Sequence, residues 1–225
     1  MRFVVLVAML MCACASLMVR SDEPLSPPPL VQAPDDVGLR IARHADALVG
    51  VHSLKGVTQL PDDCTGLVRY AYSQEGVELM PLRGTRGTNG AATGASGAAL
   101  GAPRSGEMNG VTAIWVAARE KNALHAHEPR VGDLVFFRET YDRDRDGRTD
   151  DGLTHIGVVD TVEEGGTVHF IHRSGRGVTR ERMNTYRPRD KSVNDWLRMR
   201  SQRAPAALSG ELFVGYASWP ELFGQ

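Results

Sequence analysis

Cys64 is the residue whose type and position best suit nucleophilic chemistry. It follows Pro61-Asp62-Asp63 and opens an apolar-periodic run, which predicts a helix from about Cys64 to Gln74. In the first turn of a helix, the macrodipole and the unpaired backbone N–H groups favour the thiolate, the form that attacks carbonyl carbon. The same N–H groups suit a developing oxyanion. Because Cys64 also shares an apolar stripe with Val68, an inert buried cysteine is the alternative.

A thiol nucleophile needs a base, usually a histidine that a third group orients. His155 opens a predicted strand, and His169 and His172 lie on the returning strand after a turn at residues 163–166. Because side chains alternate along a strand, a turn loop with an even number of residues places His172 on the face of His155. An odd loop selects His169 instead. We predict the even loop, with His155 as base and His172 fixing its tautomer.

The elements that must position these side chains follow from periodicity and turn residues. Helices are predicted from about Asp36 to Val49, from Cys64 to Gln74 and from Val111 to Ala123. Strands are predicted at residues 133–137, 155–162, 167–172 and 212–217. Helices that precede antiparallel strands in this way indicate an α+β domain.

The amino-terminal residues have the pattern of an export signal. A positive start, an apolar run and a small-residue cleavage site at Ala13-Cys14-Ala15 predict a signal peptide over residues 1–15. A Pro-rich tether over residues 16–36 and a catalytic domain over 37–225 follow, with a mobile Gly/Ala-rich loop at 83–110. We expect an exported protein of the periplasm, cell envelope or extracellular space. Cleavage leaves Cys64 as the single cysteine, so no internal disulfide can form.

Charge and composition restrict the partners. The 225-residue chain has a formal net charge of -1, which gives no indication of a nucleic-acid partner. Membrane attachment is expected only if the protein is a lipoprotein, with Cys14 or Cys12 lipidated. We expect a monomer.

An Asp-rich loop lies just before His155. Alternating carboxylates with Gly147 at the sixth place match the first half of a calcium loop, although the twelfth place holds Leu153 instead of glutamate. The alternative is a solvated loop whose interleaved arginines neutralise the aspartates. Catalysis is expected to require no cofactor, and the ion would be structural. Five residues would supply its oxygen ligands: Asp142, Asp144, Asp146, Arg148 through its backbone carbonyl, and Asp150.

Four sequence blocks, in order, resemble the NlpC family of cell-wall cysteine peptidases. Residues 63–68 (DCTGLV) resemble its D-C-S-G-L-V block, and residues 130–137 (RVGDLVFF) its P-G-D-L-V-F-F strand. Residues 154–159 (THIGVV) and 170–174 (FIHRS) resemble its H-V-G-I-Y and F-I-H-A-S strands. The resemblance implies a papain-like NlpC fold, with helices packed on a central antiparallel sheet. It also implies a triad of Cys64 as nucleophile, His155 as base and His172 as orienting residue.

The resemblance further implies a substrate. Asp63 matches the aspartate that binds the free amino end of the stem peptide in peptidoglycan, the expected partner. The bond that family members typically cut joins D-γ-glutamate to a diamino acid. Two alternatives remain open, namely an N-acetylmuramoyl-L-alanine amidase like the related CHAP enzymes and a non-catalytic wall-binding module. Residues 51–56 (VHSLKG) replace the family's Pro-Tyr and Gly-Gly stretch. His52 is a candidate to replace its aromatic hydroxyl, and a surface histidine is the favoured alternative.

Overall fold

Three helices precede the strands in the described part of the chain, which in this computed structural model comprises residues 36–80, 109–201 and 204–223. The predicted signal peptide, the tether before Asp36 and loop residues 83–108 lie outside these ranges. The helices are α1 (Val37–Asp46), α2 (Cys64–Ser73), α3 (Gly110–Glu120), α4 (Ser209–Leu212) and α5 (Trp219–Phe223). The strands are β1 (Leu124–His125), β2 (Leu134–Arg138), β3 (Leu153–Val162), β4 (Thr167–Ser174), β5 (Gly177–Asn184), β6 (Trp196–Arg198), β7 (Ala207–Leu208) and β8 (Phe213–Ala217).

One antiparallel sheet organises the domain. Its six strands run in the order β1-β8-β2-β3-β4-β5, and β6 and β7 form a separate two-stranded sheet. The predicted α+β class is therefore confirmed. Among the residues described, no helix is both long enough and apolar enough to cross a membrane.

The two faces of the six-stranded sheet carry separate hydrophobic clusters, because side chains alternate along each strand. Helices α1, α2 and α3 pack with residues such as Phe136, Ile156 and Ile171 on one face. Phe137 and Phe170 belong to the second cluster, on the other face. The first cluster holds the helices against the sheet, so it fixes where α2 begins relative to β3.

The β3–β4 hairpin differs from the sequence prediction in its turn. The N–H of Glu163 donates to the carbonyl of Thr167 at 2.8 Å, which leaves residues 164–166 as an odd, three-residue loop. The predicted even loop is therefore wrong, and an odd loop alone would have selected His169. A β-bulge between Val159 and Thr161 inserts one extra residue, and beyond it Val158 pairs with Ile171. The bulge thus restores the register that places His172 on the face of His155.

Candidate active site

The amino terminus of α2 is tightly constrained. Asp63 is its N-cap, and its Oδ1 atom accepts hydrogen bonds from the N–H groups of Thr65 and Gly66, both at 2.9 Å. Cys64 is therefore the first helical residue, as predicted. Gly66 lies so close to the preceding loop that a Cβ atom added to it would be 1.8 Å from the carbonyl oxygen of Pro61. Only glycine allows this approach, so the cap and the loop together hold the thiol in place.

A cavity of about 450 Å³ opens at this helix terminus. The beginnings of α2, α3 and β3 and the end of β4 contribute to its wall. Its lining includes the three predicted triad residues, Cys64, His155 and His172, together with Asp63. The remaining lining residues are Asp62, Thr65, Asn109, Gly110, Val111, Thr140, Tyr141, Thr154, Arg173, Ser174, Gly175 and Leu197. Residues that are distant in sequence are therefore brought to one site.

The two predicted histidines form a hydrogen-bonded pair. Nε2 of His155 lies 2.6 Å from Nδ1 of His172, and the rings are nearly perpendicular, at 87°. Both residues are buried, with exposures of 8% and 1%. Nε2 of His172 faces the hydroxyl of Thr179 at 3.1 Å and the carboxylate of Glu181 at 3.4 Å. Sequence reasoning missed these two β5 residues, although their spacing of two places them on one strand face.

The thiol is less acidic than its position on the helix predicts. Burial of the side chain and the nearby charge of Asp63 raise the pKa of Cys64 to about 12. The backbone N–H groups of Ile156, Cys64 and Thr65 lower this pKa, but by less. This shift opposes the predicted preference for the thiolate, because removal of the sulfur from water outweighs the N–H groups.

His155, the predicted base, is also shifted towards its neutral form. Burial, and then the charge of the neighbouring His172, lower the pKa of His155 well below its ordinary value of 6.5. The directions of both shifts favour a neutral thiol and a neutral imidazole in this cavity. Such a pair can still react if the imidazole takes the proton as the sulfur attacks.

An aromatic side chain lines the cavity from a region that the sequence did not indicate. Tyr141 follows β2 and lines the cavity, and partial burial together with the nearby Cys64 raises the pKa of its hydroxyl. His52, the candidate replacement, instead contacts the backbone carbonyl of Arg176 at 3.2 Å and is exposed. The position of His52 therefore gives no support to that assignment.

The Asp-rich loop gathers a different set of carboxylates from the one predicted. Oxygen atoms of Asp142, Asp144 and Asp151 lie within 4.8 Å of one another. Asp146 instead accepts a hydrogen bond from the N–H of Arg148 at 2.8 Å. Asp150 forms an ion pair with the Arg148 side chain at 3.2 Å. Asp151 thus takes the place that the sequence assigned to Asp146 and Asp150, and calcium binding stays a prediction.

A helix-borne cysteine packed against an antiparallel sheet that carries a histidine pair defines a papain-like α+β fold. The sequence model of the NlpC/P60 family matches residues 51–196. The chain therefore belongs to the NlpC/P60 family, as its four sequence blocks predict. Members of this family are cell-wall peptidases that act on peptidoglycan, and they are typically cysteine peptidases. The comparisons with curated proteins and with solved structures found no match.

Proposed function

We propose that this protein is an exported cysteine peptidase that hydrolyses the bond between D-γ-glutamate and a diamino acid in peptidoglycan stem peptides. The observation that carries the proposal is the shared cavity. Cys64 lies there at a helix amino terminus, together with the hydrogen-bonded pair of His155 and His172. A nucleophile, a base and an orienting group are the parts that thiol-dependent acyl transfer requires.

In the first step, His155 accepts the proton of the Cys64 thiol as the sulfur attacks the scissile carbonyl carbon. Concerted transfer suits this pair because burial disfavours a separated thiolate and imidazolium. Within the first turn, the N–H groups of Thr65 and Gly66 are bound by Asp63. The N–H of Cys64 lies at the sulfur, so we assign it to stabilise the oxyanion of the tetrahedral intermediate.

In the second step, the His155 imidazolium gives its proton to the departing amine, and a thioester to Cys64 remains. Water then attacks the thioester, with the neutral His155 as base, and releases the carboxylate product and the thiol. His172 keeps the His155 ring oriented through both steps by their 2.6 Å hydrogen bond. No cofactor is needed for this sequence.

Asp63 is the proposed contact for the free amino end of the stem peptide. Its side chain is exposed and lines the cavity beside Cys64. The Oδ1 atom holds the helix cap, yet the carboxylate still provides negative charge at the cavity wall. A cationic amino group would bind there by a charge-assisted hydrogen bond. The cavity of about 450 Å³ is of the size that ligand pockets commonly have.

The test is digestion of purified sacculi and of defined muropeptides by the wild type and by Cys64→Ala, with products identified by mass. The wild type is expected to split the stem peptide after D-γ-glutamate, and Cys64→Ala to release nothing. Ser73→Ala, an exposed change at the other end of α2, is the matched control and keeps wild-type turnover. Release of the sugar from L-alanine would show an amidase. Binding of sacculi without turnover would show a wall-binding module. Either result would overturn the proposal.

Export is part of the proposal and has its own test. We expect a mature protein that begins after Ala15, because the small-residue site ends there. Amino-terminal sequencing of protein recovered from the cell envelope or medium gives the cleavage position. An intact leader on protein that stays in the cytoplasm would contradict export.

A further inference from the structure

We propose that Glu181 is a positioning residue that fixes the tautomers of both histidines, so that the unprotonated Nδ1 of His155 is the atom available as base. This inference rests on the proposed function for its catalytic consequence. It rests on geometry alone for the arrangement of protons. It adds a fourth residue to the triad. The carboxylate of Glu181, on β5, contacts Nε2 of His172, the ring nitrogen that does not face His155.

The Glu181 carboxylate is buried and points towards the His172 ring. The Glu181 side chain is 7% exposed, and its Oε2 atom lies 3.4 Å from Nε2 of His172. Oε2 is fully buried and has no hydrogen-bond partner within the described residues, so its contact with His172 is an ion-pair distance and not an aligned hydrogen bond. The second oxygen, Oε1, is held by the guanidinium of Arg176 at 2.6 Å. Because a buried acceptor without a donor is costly, the imidazole N–H beside Oε2 is the group that we assign to satisfy it.

The proton positions follow from this contact. A carboxylate only accepts hydrogen bonds, so we assign to Nε2 of His172 the hydrogen that faces Glu181. With its ring proton held at Nε2, His172 presents an unprotonated Nδ1, which accepts from Nε2–H of His155 across their 2.6 Å contact. The neutral His155 is left with an unprotonated Nδ1. One carboxylate thus determines the proton arrangement through two consecutive rings.

Thr179 does not supply the same information. Its hydroxyl lies 3.1 Å from Nε2 of His172, but a hydroxyl can donate or accept and so fits either tautomer. The charged and titratable groups in contact with His172 are His155 from β3 and Glu181 from β5, and Arg176 from the β4–β5 turn pairs with Glu181. The cavity that His172 lines also holds other ionisable side chains: Asp62, Asp63, Cys64, Tyr141 and Arg173. Glu181 is the carboxylate in ion-pair contact with the His172 ring, where its charge would offset an imidazolium formed during attack.

The decisive variant is Glu181→Gln, which keeps the shape and removes the charge. We expect kcat on a muropeptide to fall about 10- to 100-fold, the range found when the partner that orients a metal-binding histidine is removed, while KM changes little. Glu181→Asp keeps the charge and should recover part of the loss. Glu163→Gln is the matched control. Glu163 also pairs with a histidine, His169, at 2.5 Å, but this pair lies in the β3–β4 hairpin and outside the cavity. It should keep wild-type kcat.

A nitrogen-15 NMR spectrum of the histidine side chains tests the tautomers without any need for turnover. The wild type should show a protonated Nε2 and an unprotonated Nδ1 on His172, and Glu181→Gln should lose this preference. An Nδ1–H tautomer of His172 in the wild type would overturn the inference, even if Glu181→Gln failed to fold. So would wild-type kcat in a folded Glu181→Gln. Absence of turnover by the wild type would instead refute the proposed function and leave the spectrum to decide the tautomers.

Discussion

Gly66→Ala is expected to destabilise the protein and to displace its thiol, because the added methyl group has no room. A Cβ atom at this position would lie 1.8 Å from the carbonyl oxygen of Pro61 and 2.8 Å from its carbonyl carbon. Contacts under 3.0 Å are essentially never seen, so the helix terminus must move by about 1.2 Å. The obstacle is backbone and cannot rotate away.

The size of the effect can be worked from two contributions. Forcing a methyl group into a packed site costs about 1–3 kcal/mol. The same movement pulls the N–H of Gly66 from the Oδ1 atom of Asp63, and loss of an N-cap costs about 1 kcal/mol. The free energy of unfolding should therefore fall by about 2–4 kcal/mol. At about 2–4 °C per kcal/mol for a domain of this size, Tm should fall by about 4–16 °C.

The direction of the change in Tm distinguishes a crowded site from an open one. At an unobstructed helical site, alanine is about 1 kcal/mol more favourable than glycine, so a roomy site would raise Tm. Thermal unfolding followed by circular dichroism measures Tm. Gly175→Ala is the control, since an added Cβ there has no neighbour within 4 Å, and its Tm should match the wild type. A Tm of Gly66→Ala equal to or above the wild type would refute the packing argument.

The same variant should lose activity beyond its loss of stability. Cys64 lies in the same helical turn as Gly66, so a movement of about 1 Å there misplaces the sulfur relative to His155. Misplacement of this size can cost about 100-fold in rate. Turnover of muropeptide should be measured well below Tm, where the variant is folded. Wild-type turnover in the folded variant would show that the thiol does not move with the glycine.

Three further results are expected. Because the pKa of Cys64 is raised to about 12, its alkylation by iodoacetamide should accelerate by about tenfold per pH unit from about pH 7 to 9. A rate that is already level near pH 7 would contradict a neutral resting thiol. Asp62 has its pKa lowered from 3.8 to about 2, chiefly by hydrogen bonds from Leu54, Ser53 and Arg173. Its contribution to stability is therefore present above about pH 4 and lost as the pH falls towards 2, so the unfolding free energies of the wild type and Asp62→Asn should converge there. Calcium should raise Tm, and chelator lower it, through the carboxylates of residues 142–151, with little change in rate per folded molecule. Identical melting curves with calcium and with chelator would remove the calcium site.

Local patterns predicted the elements that carry the candidate site. The apolar periodicity after Asp63 predicted the helix that carries Cys64, whereas the pairing of His155 with His172 was predicted from an even loop that the structure does not have. These predictions depend on neighbours within about one turn or one strand, where residue type and spacing determine structure. The four blocks added their order, and the matched family confirmed it.

The remaining features arise from contacts between distant residues. The odd turn alone would place His169 on the face of His155, and the bulge at Asp160 places His172 there instead. No residue type in the sequence indicates this bulge. The raised pKa of Cys64 depends on how completely the fold buries the sulfur, which the helix position does not reveal. Glu181 enters the site through strand pairing, with β5 beside β4. Asp151 replaced Asp146 among the clustered carboxylates because the loop's own hydrogen bonds determine which side chains converge.

The division of the site between a helix and a sheet has a consequence for how the proposed activity would be lost. The sulfur belongs to the layer of α2, while both imidazoles belong to the layer of β3 and β4. Secondary structure alone cannot keep these layers in register, because only the side chains packed between them do so. Mild denaturant that loosens this interior should therefore abolish turnover before far-ultraviolet circular dichroism changes. The rate of muropeptide turnover would then report on tertiary packing in this domain more sensitively than circular dichroism does.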